Sequence, residues 1–225
     1  MIYLSHVLNN DTPTYGNKDL CIIEQTKKIA NGDSSNNSQL HISSHVGTHI
    51  DTPYHFCKEG KTIDDYDPTF WFCNNPWLVD INNCESDLIT FLSIKDKLME
   101  IPATADILFF RSGFESFRNS DEQNKYIFDN PGIEAEIGYW LRENRSIKMI
   151  GLDFISLSGY SRREEGRLAH RAFLCPYKKD GTEHDPILII EDMSLVRFEI
   201  KLNNVSVMPL RVKGGDGAPV TVVAW

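Results

Sequence analysis

Ser44-His45-Val46-Gly47-Thr48-His49-Ile50-Asp51-Thr52-Pro53-Tyr54-His55-Phe56 is the stretch on which the reading of this chain turns. It gathers three of the seven histidines and one carboxylate into the pattern His-x3-His-x-Asp-x3-His. Imidazole and carboxylate are the usual ligands of zinc and manganese in hydrolytic sites. A helix would bring His45 and His49 onto one face. It would also turn Asp51 about 200° away from His49. A strand places positions 45, 47, 49 and 51 on one side, leaving Ile42, Ser44, Val46, Thr48 and Ile50 for burial on the other. The strand is therefore the better fit, with one condition. Four strand residues span about 13 Å, too far for two ligands of one ion, so the chain must bend between His45 and His49. Gly47 tolerates the dihedrals of such a bend. Thr52-Pro53 then ends the ladder, because proline has no N–H to donate, and His55 emerges beyond the break.

Three ligands with an open position suit a catalytic metal, which lowers the pKa of a bound water and polarises a carbonyl. The third histidine, His55, outside this ligand set, can move protons as general base and acid. The plainer alternative is a set of surface or core histidines with no metal.

Around this stretch the chain reads as one ordinary globular domain, residues 1–225. It has 41% hydrophobic and 24% charged residues. No apolar run is long enough for a transmembrane helix, and Met1 to His6 lacks the make-up of a secretory signal. The net charge of -9 speaks against nucleic acid as a partner. Five cysteines without a CxxC pair predict free thiols, Cys57 among them, no disulfide framework, and the cytoplasm as location.

Asn9 to Gly16 forms a turn between two strand-like pieces, with Tyr15 at its tip as a ligand-stacking residue or a packing anchor. Residues 31–38 read as a polar loop, and Leu40 begins a strand leading into the motif. Phe70-Trp71-Phe72 either roofs a site or packs a core. Trp77 to Ile81, Asp106 to Arg111, Lys148 to Asp153 and Pro186 to Glu191 read as strands. Ser86 to Leu98 reads as partly helical and Ile133 to Asn144 as a helix, while Ser112 to Asn130 reads as loop. Strand, helix and strand in succession suggest an α/β crossover. His170 follows a charged loop, Arg162 to Arg167, and Tyr177 to Asp185 is a polar insertion. Val205 to Val212 is a strand, Gly214 to Pro219 a turn, and Val220 to Trp225 a final strand.

The motif resembles the signature His-x-Gly-Thr-His-x-Asp-x-Pro-x-His of the cyclase family of metal-dependent hydrolases, which includes bacterial-type kynurenine formamidases and isatin hydrolases. His45 to His55 match it throughout. Asp11 to Gly16, Arg111 to Phe114, Gly151 to Asp153, Ala169 to Leu174, Ile189 to Glu191 and Pro209 to Val220 resemble further family segments. The resemblance implies an α/β fold of the swivelling β/β/α type with a mixed central sheet, in a homodimer or homotetramer. It implies that His45, His49 and Asp51 bind one divalent metal, zinc or manganese. His170 and Glu191 would complete a second site, with Asp51 bridging, where two ions are used. His55 would be the proton-transfer residue. Read alone, His170 is equally a surface residue and Glu191 an ordinary strand-end acid.

The function so implied is hydrolysis of a small amide, open-chain or cyclic, by metal-bound hydroxide. Tyr15, with Phe70 or Trp71, would hold an aromatic or planar acyl group. The alternatives are a polyketide-type cyclase and a non-catalytic protein that retained the motif. The chain departs from formamidases at Phe154 to Ser158, in the longer stretch around Lys178 to Asp185, and at Tyr15-Gly16, where Trp-Pro-Gly is common. All three fall in loops expected to face substrate.

Overall fold

The computed structural model describes residues 1–81, 87–198 and 202–225. It is a single α/β domain built on one nine-stranded mixed sheet. The sheet strands in chain order are β1 (Ile2–Tyr3), β2 (His49–Asp51), β3 (Phe72–Cys73), β4 (Pro76–Asp80), β5 (Ile107–Arg111), β6 (Met149–Leu152), β7 (Leu188–Glu191), β8 (Val205–Pro209) and β9 (Gly217–Ala224). Helices α1 (Phe91–Met99), α2 (Gln123–Phe128), α3 (Ala135–Asn144) and α4 (Arg163–Leu174) lie between them.

Across the sheet the order is β3-β8-β9-β2-β7-β6-β5-β4, with β1 also paired to β9. Strands β4 to β7 are mutually parallel and follow one another in sequence, each step crossing over through helix. Parallel strands are covered on both faces, so they read as unbroken apolar runs. Ile107 to Phe110 and Met149 to Leu152 are such runs, and every residue in them is buried. On one face Leu108, Phe110, Ile150, Leu152 and Ile189 pack under α1, α3 and α4. On the other, Ile107, Phe109, Met149 and Ile190 share a core with Trp71, Val205, Val207 and Val222. Residues from opposite ends of the strand order meet in this second core, so the sheet coils strongly back toward itself.

Strand β2 sits between β7 and β9, antiparallel to both. Directly opposed residues of an antiparallel pair point to the same face. Glu191 therefore shares a face with His49, to which it is paired, and Gly217 lies opposite Asp51. Ile50, Ile190 and Ala218 point the other way, into the second core.

Several expectations are corrected. The charged segment Arg162 to Arg167 is no loop: Arg163 begins α4, which buries Gly166, Ala169, His170 and Phe173 on one side. Gly217 to Pro219 are not turn but the first residues of β9, held there by β2. The segment 112–130 contains α2 and a short 3-10 turn. Tyr177–Lys179 and Thr182–His184 pair as a hairpin. The strand before the motif runs Asn37–Ile42, in a ribbon with Cys21–Lys27, and so takes in the end of the expected polar loop. Ser86 of the expected helix lies outside the described residues; the helix itself begins at Phe91.

Cys57 is not a free thiol: it is bonded to Cys175, 118 positions away, with Cα atoms 5.6 Å apart. The chain brings the exit of the Pro53–His55 turn against the C-terminal end of α4, a proximity that no local spacing signals. The cytoplasmic reading rested partly on unpaired cysteines and loses that support. Among the described residues, no helix is long and apolar enough to cross a membrane.

Candidate metal centre

The motif stretch is a short strand between two bends. Residues 44–45 form a turn and 46–48 a bend, and Gly47 has φ +66°, the left-handed region that favours glycine. A Cβ there would come within 2.2 Å of Leu8 Cδ2. The expected bend is present, but His45 stands in the turn and only His49 and Asp51 belong to the strand. From the turn, His45 reaches back so that its Nδ1 lies 2.9 Å from Asp51 Oδ1. Pro53 opens a 3-10 turn that ends in His55.

Glu191 from β7 and His170 from α4 complete the cluster. His49 Nε2 lies 3.6 Å from Asp51 Oδ1 and 3.4 Å from Glu191 Oε2. His170 Nε2 lies 3.6 Å from Asp51 Oδ2 and 3.4 Å from Glu191 Oε1. All four side chains are at most 5% exposed. Each imidazole has its other nitrogen committed. His49 Nδ1 donates to Gly47 O and His170 Nδ1 to Gly166 O, both at 2.8 Å. A backbone acceptor at Nδ1 fixes the tautomer and leaves the Nε2 lone pair facing the carboxylates.

Two buried carboxylates facing two such lone pairs call for a cation. Four ligand atoms around a tetrahedral ion held at about 2.1 Å stand about 3.4 Å apart, close to the separations in this cluster. The residues fit a divalent metal. Ligand atoms of His45, His49 and Asp51, and those of Asp51, His170 and Glu191, form two groupings within 4.8 Å that share Asp51.

In the metal-free chain, protons take the cation's place. Burial pushes the His170 imidazole down, but Asp51 and Glu191 outweigh it and raise it to about 10. His45 is likewise penalised by burial and raised by Asp51 and Asp216 to about 9. Burial and Asp51 push the Glu191 carboxyl up, yet hydrogen bonds from His170 and His49 hold it at about 2. His55 differs: burial dominates over Asp51 and lowers it.

A cavity of about 380 Å3 opens beside the cluster, lined among others by Tyr15, His45, His55, Phe56 and Ile155. Tyr15 is thus at the site. Its ring meets Tyr160 edge-on at 5.4 Å, and its hydroxyl donates to Gly159 O at 3.5 Å. Phe70 and Trp71 are not: they pack with Tyr66 in the second core, on the far face of the sheet, so the expected aromatic roof is corrected. Phe56 stands at the site instead.

Sequence reasoning assigned no role to two carboxylates next to the cluster. Asp216, in the turn before β9, lies against both His45 and His55. Its signal was a lone acid among Gly214, Gly215 and Gly217. Asp192 follows Glu191 with a left-handed φ of +53° and is clamped by Arg118 at 2.7 and 2.8 Å and by the Tyr126 hydroxyl at 2.6 Å. This buried network anchors the end of β7.

The chain thus combines a mixed sheet with paired histidines and carboxylates beside an open cavity. Residues 2–158 match the Cyclase family (described as "Putative cyclase"), and the chain belongs to that family. Kynurenine formamidase of Bacillus thuringiensis (strain Al Hakam) is 29% identical over 226 residues, covering 99% of this chain and 95% of that protein. Cyclase-like protein 3 of Arabidopsis thaliana is 28% identical over 207 residues, 87% of this chain and 67% of that one. Among solved structures, isatin hydrolase A from Ralstonia solanacearum superimposes with a TM-score of 0.76 at 20% identity, covering 99% of this chain and 90% of that one.

Proposed function

We propose that this protein is a metal-dependent hydrolase of a small amide, open-chain or cyclic. The observation that carries the reading is a buried cluster of two histidines and two carboxylates, with a further histidine, His55, on the wall of the same cavity. His49, Asp51, His170 and Glu191, joined by His45, would hold one or two ions of zinc or manganese. When bound, the metal supplies an activated water and polarises the carbonyl. His55 takes a proton from the attacking water and returns it to the leaving nitrogen as the C–N bond breaks. Tyr15 and Phe56 flank the cavity and suit a planar acyl group. The cavity volume lies in the range of small-molecule sites. The names of similar proteins support amide chemistry, kynurenine formamidase on one side and isatin hydrolase on the other. Assembly as a homodimer or homotetramer is part of the same proposal.

The test is a substrate screen of the zinc- and manganese-loaded protein against N-formylkynurenine, isatin, aryl formamides and lactones. Ring opening or deformylation is expected. A ring-closed product without hydrolysis, or tight binding with no turnover, would replace this reading.

A further inference from the structure

We propose that Asp216 is the positioning residue of the site, the carboxylate that fixes which nitrogen of His55 carries the proton. This role rests on the hydrolytic reading above for its consequence, though not for its geometry.

Asp216 lies in the turn that delivers the chain to β9. Its main-chain oxygen accepts from Thr52 N at 3.0 Å and from Thr52 Oγ1 at 2.9 Å. The turn is thereby locked to the end of β2, just where the chain departs toward His55. The side chain spreads over three partners. Oδ1 accepts from Ser44 Oγ at 3.2 Å. Oδ2 lies 2.9 Å from His45 Nε2 and 3.1 Å from His55 Nδ1. The two imidazoles are stacked, centroids 4.0 Å apart and planes 29° from parallel. One oxygen therefore serves both rings from the same edge. Gly217 makes room for this: a Cβ there would meet His45 Cε1 at 2.7 Å.

A carboxylate only accepts, so His55 Nδ1, at the hydrogen-bond distance of 3.1 Å, is the nitrogen that bears hydrogen, whereas His49 and His170 Nε2 stand 3.4 Å or more from their carboxylates. His55 is held with its proton on Nδ1, and the Nε2 lone pair stays free on the opposite edge of the ring. Among the described residues, none is hydrogen-bonded to His55 Nε2. That is the state a general base needs. Nε2 takes the proton from the attacking water, Asp216 faces the resulting imidazolium without itself being protonated, and Nε2 passes the proton to the leaving nitrogen. A carboxylate behind a histidine does the same in the Ser-His-Asp arrangement of unrelated folds. By the same contact His45 is turned with Nδ1 toward Asp51. The rival role is that of a ligand, since His45, His55 and Asp216 themselves offer atoms within 4.8 Å of one another.

Two variants and three measurements decide. Asp216→Ala removes the acceptor; Asp216→Asn keeps one oxygen able to accept from His55 Nδ1. In the metal-free protein labelled with 15N-histidine, in mildly alkaline buffer, NMR is expected to show the Nδ1–H form of His55 in the parent. Asp216→Ala is expected to shift it to Nε2–H. In the metal-saturated protein, kcat for the best amide should fall about 10- to 100-fold in Asp216→Ala with KM little changed. Asp216→Asn should recover part of that loss. Metal content at saturation should be that of the parent in both variants. An unchanged tautomer in Asp216→Ala overturns the proposal, and so does loss of a metal equivalent at saturation, which would make Asp216 a ligand. If the parent hydrolyses no amide, the hydrolytic reading fails while the tautomer measurement still decides the role of Asp216.

Discussion

The rings of Phe56 and His170 lie face to face, centroids 4.5 Å apart and planes 18° from parallel. Phe56 also meets His55 edge-on, at 4.7 Å and 84°. One apolar ring thus sets the plane of an imidazole in the buried cluster and the lean of the imidazole beside it. Gly166 O fixes the rotation of His170 about its bonds, but only packing resists a tilt of the ring. Phe56→Ala is therefore expected to weaken zinc binding by about 10- to 100-fold, the usual cost of disturbing a ligand's surroundings. Competition titration with a chelating dye measures it, and an unchanged affinity would mean that the plane is set elsewhere.

His55 and Asp51 should separate cleanly. His55→Ala is expected to keep its metal and lose about 10²- to 10⁴-fold in turnover, the range for general acid–base catalysis. Asp51→Ala should lose metal, because Asp51 is common to both ligand groupings. Elemental analysis beside a rate assay checks both. Activity surviving in the first variant, or full occupancy in the second, would reverse the two assignments.

Protons and metal compete for the same nitrogens. In the metal-free chain His45 is raised to about 9 and His170 to about 10 by the carboxylates around them. An imidazole must shed its proton to ligate, so binding releases protons and affinity should rise with pH across the neutral range. The stability of the metal-free protein should run the other way. Folded values above the ordinary 6.5 of histidine stabilise the fold fully below 6.5, and the contribution is lost as pH rises through 9 to 10. Thermal unfolding of metal-free and loaded protein at several pH values would show opposite trends. Parallel trends would contradict the shared-site account.

The Cys57–Cys175 bridge closes a long loop, with a sequence separation of 118. Chain-entropy reasoning gives about 4 to 5 kcal/mol of stabilisation for loops of this size. Reductant, or the Cys57→Ser/Cys175→Ser double variant, is expected to lower stability by that order in urea unfolding. An unmoved midpoint would show that packing alone holds the His55 turn against α4.

What was legible in the sequence follows from how far apart the partners lie. His45, His49, Asp51 and His55 sit within one short span, and chain geometry alone demanded the bend that Gly47 supplies. His170 and Glu191 come from distant segments, and only the family resemblance connected them to the motif. The helix under His170 was hidden by Arg162 to Arg167, whose charges occupy its solvent side, while Gly166 and Ala169 are too small to announce an apolar stripe. Phe70 and Trp71 were misplaced because an aromatic run does not say which face of a sheet it will cover. Asp216 was hard to single out, since one acid in a glycine turn resembles any other. Cys57 and Cys175 become neighbours only once the sheet and α4 are assembled.

The position of β2 bears on how the molecule is made. Its neighbours, β7 and β9, both follow it in the chain, and Gly217 to Pro219 are the last residues to flank it. During synthesis from the N-terminus, β4 to β6 and their helices can pair while His49 to Asp51 still has no strand on either side. The residues richest in chemistry therefore gain both flanking strands only after β7 and the start of β9 have been made. Pairings this remote in sequence also form slowly. A nascent chain stalled before Gly217 would already contain His49, Asp51, His170 and Glu191, but β2 would be paired on its β7 side only.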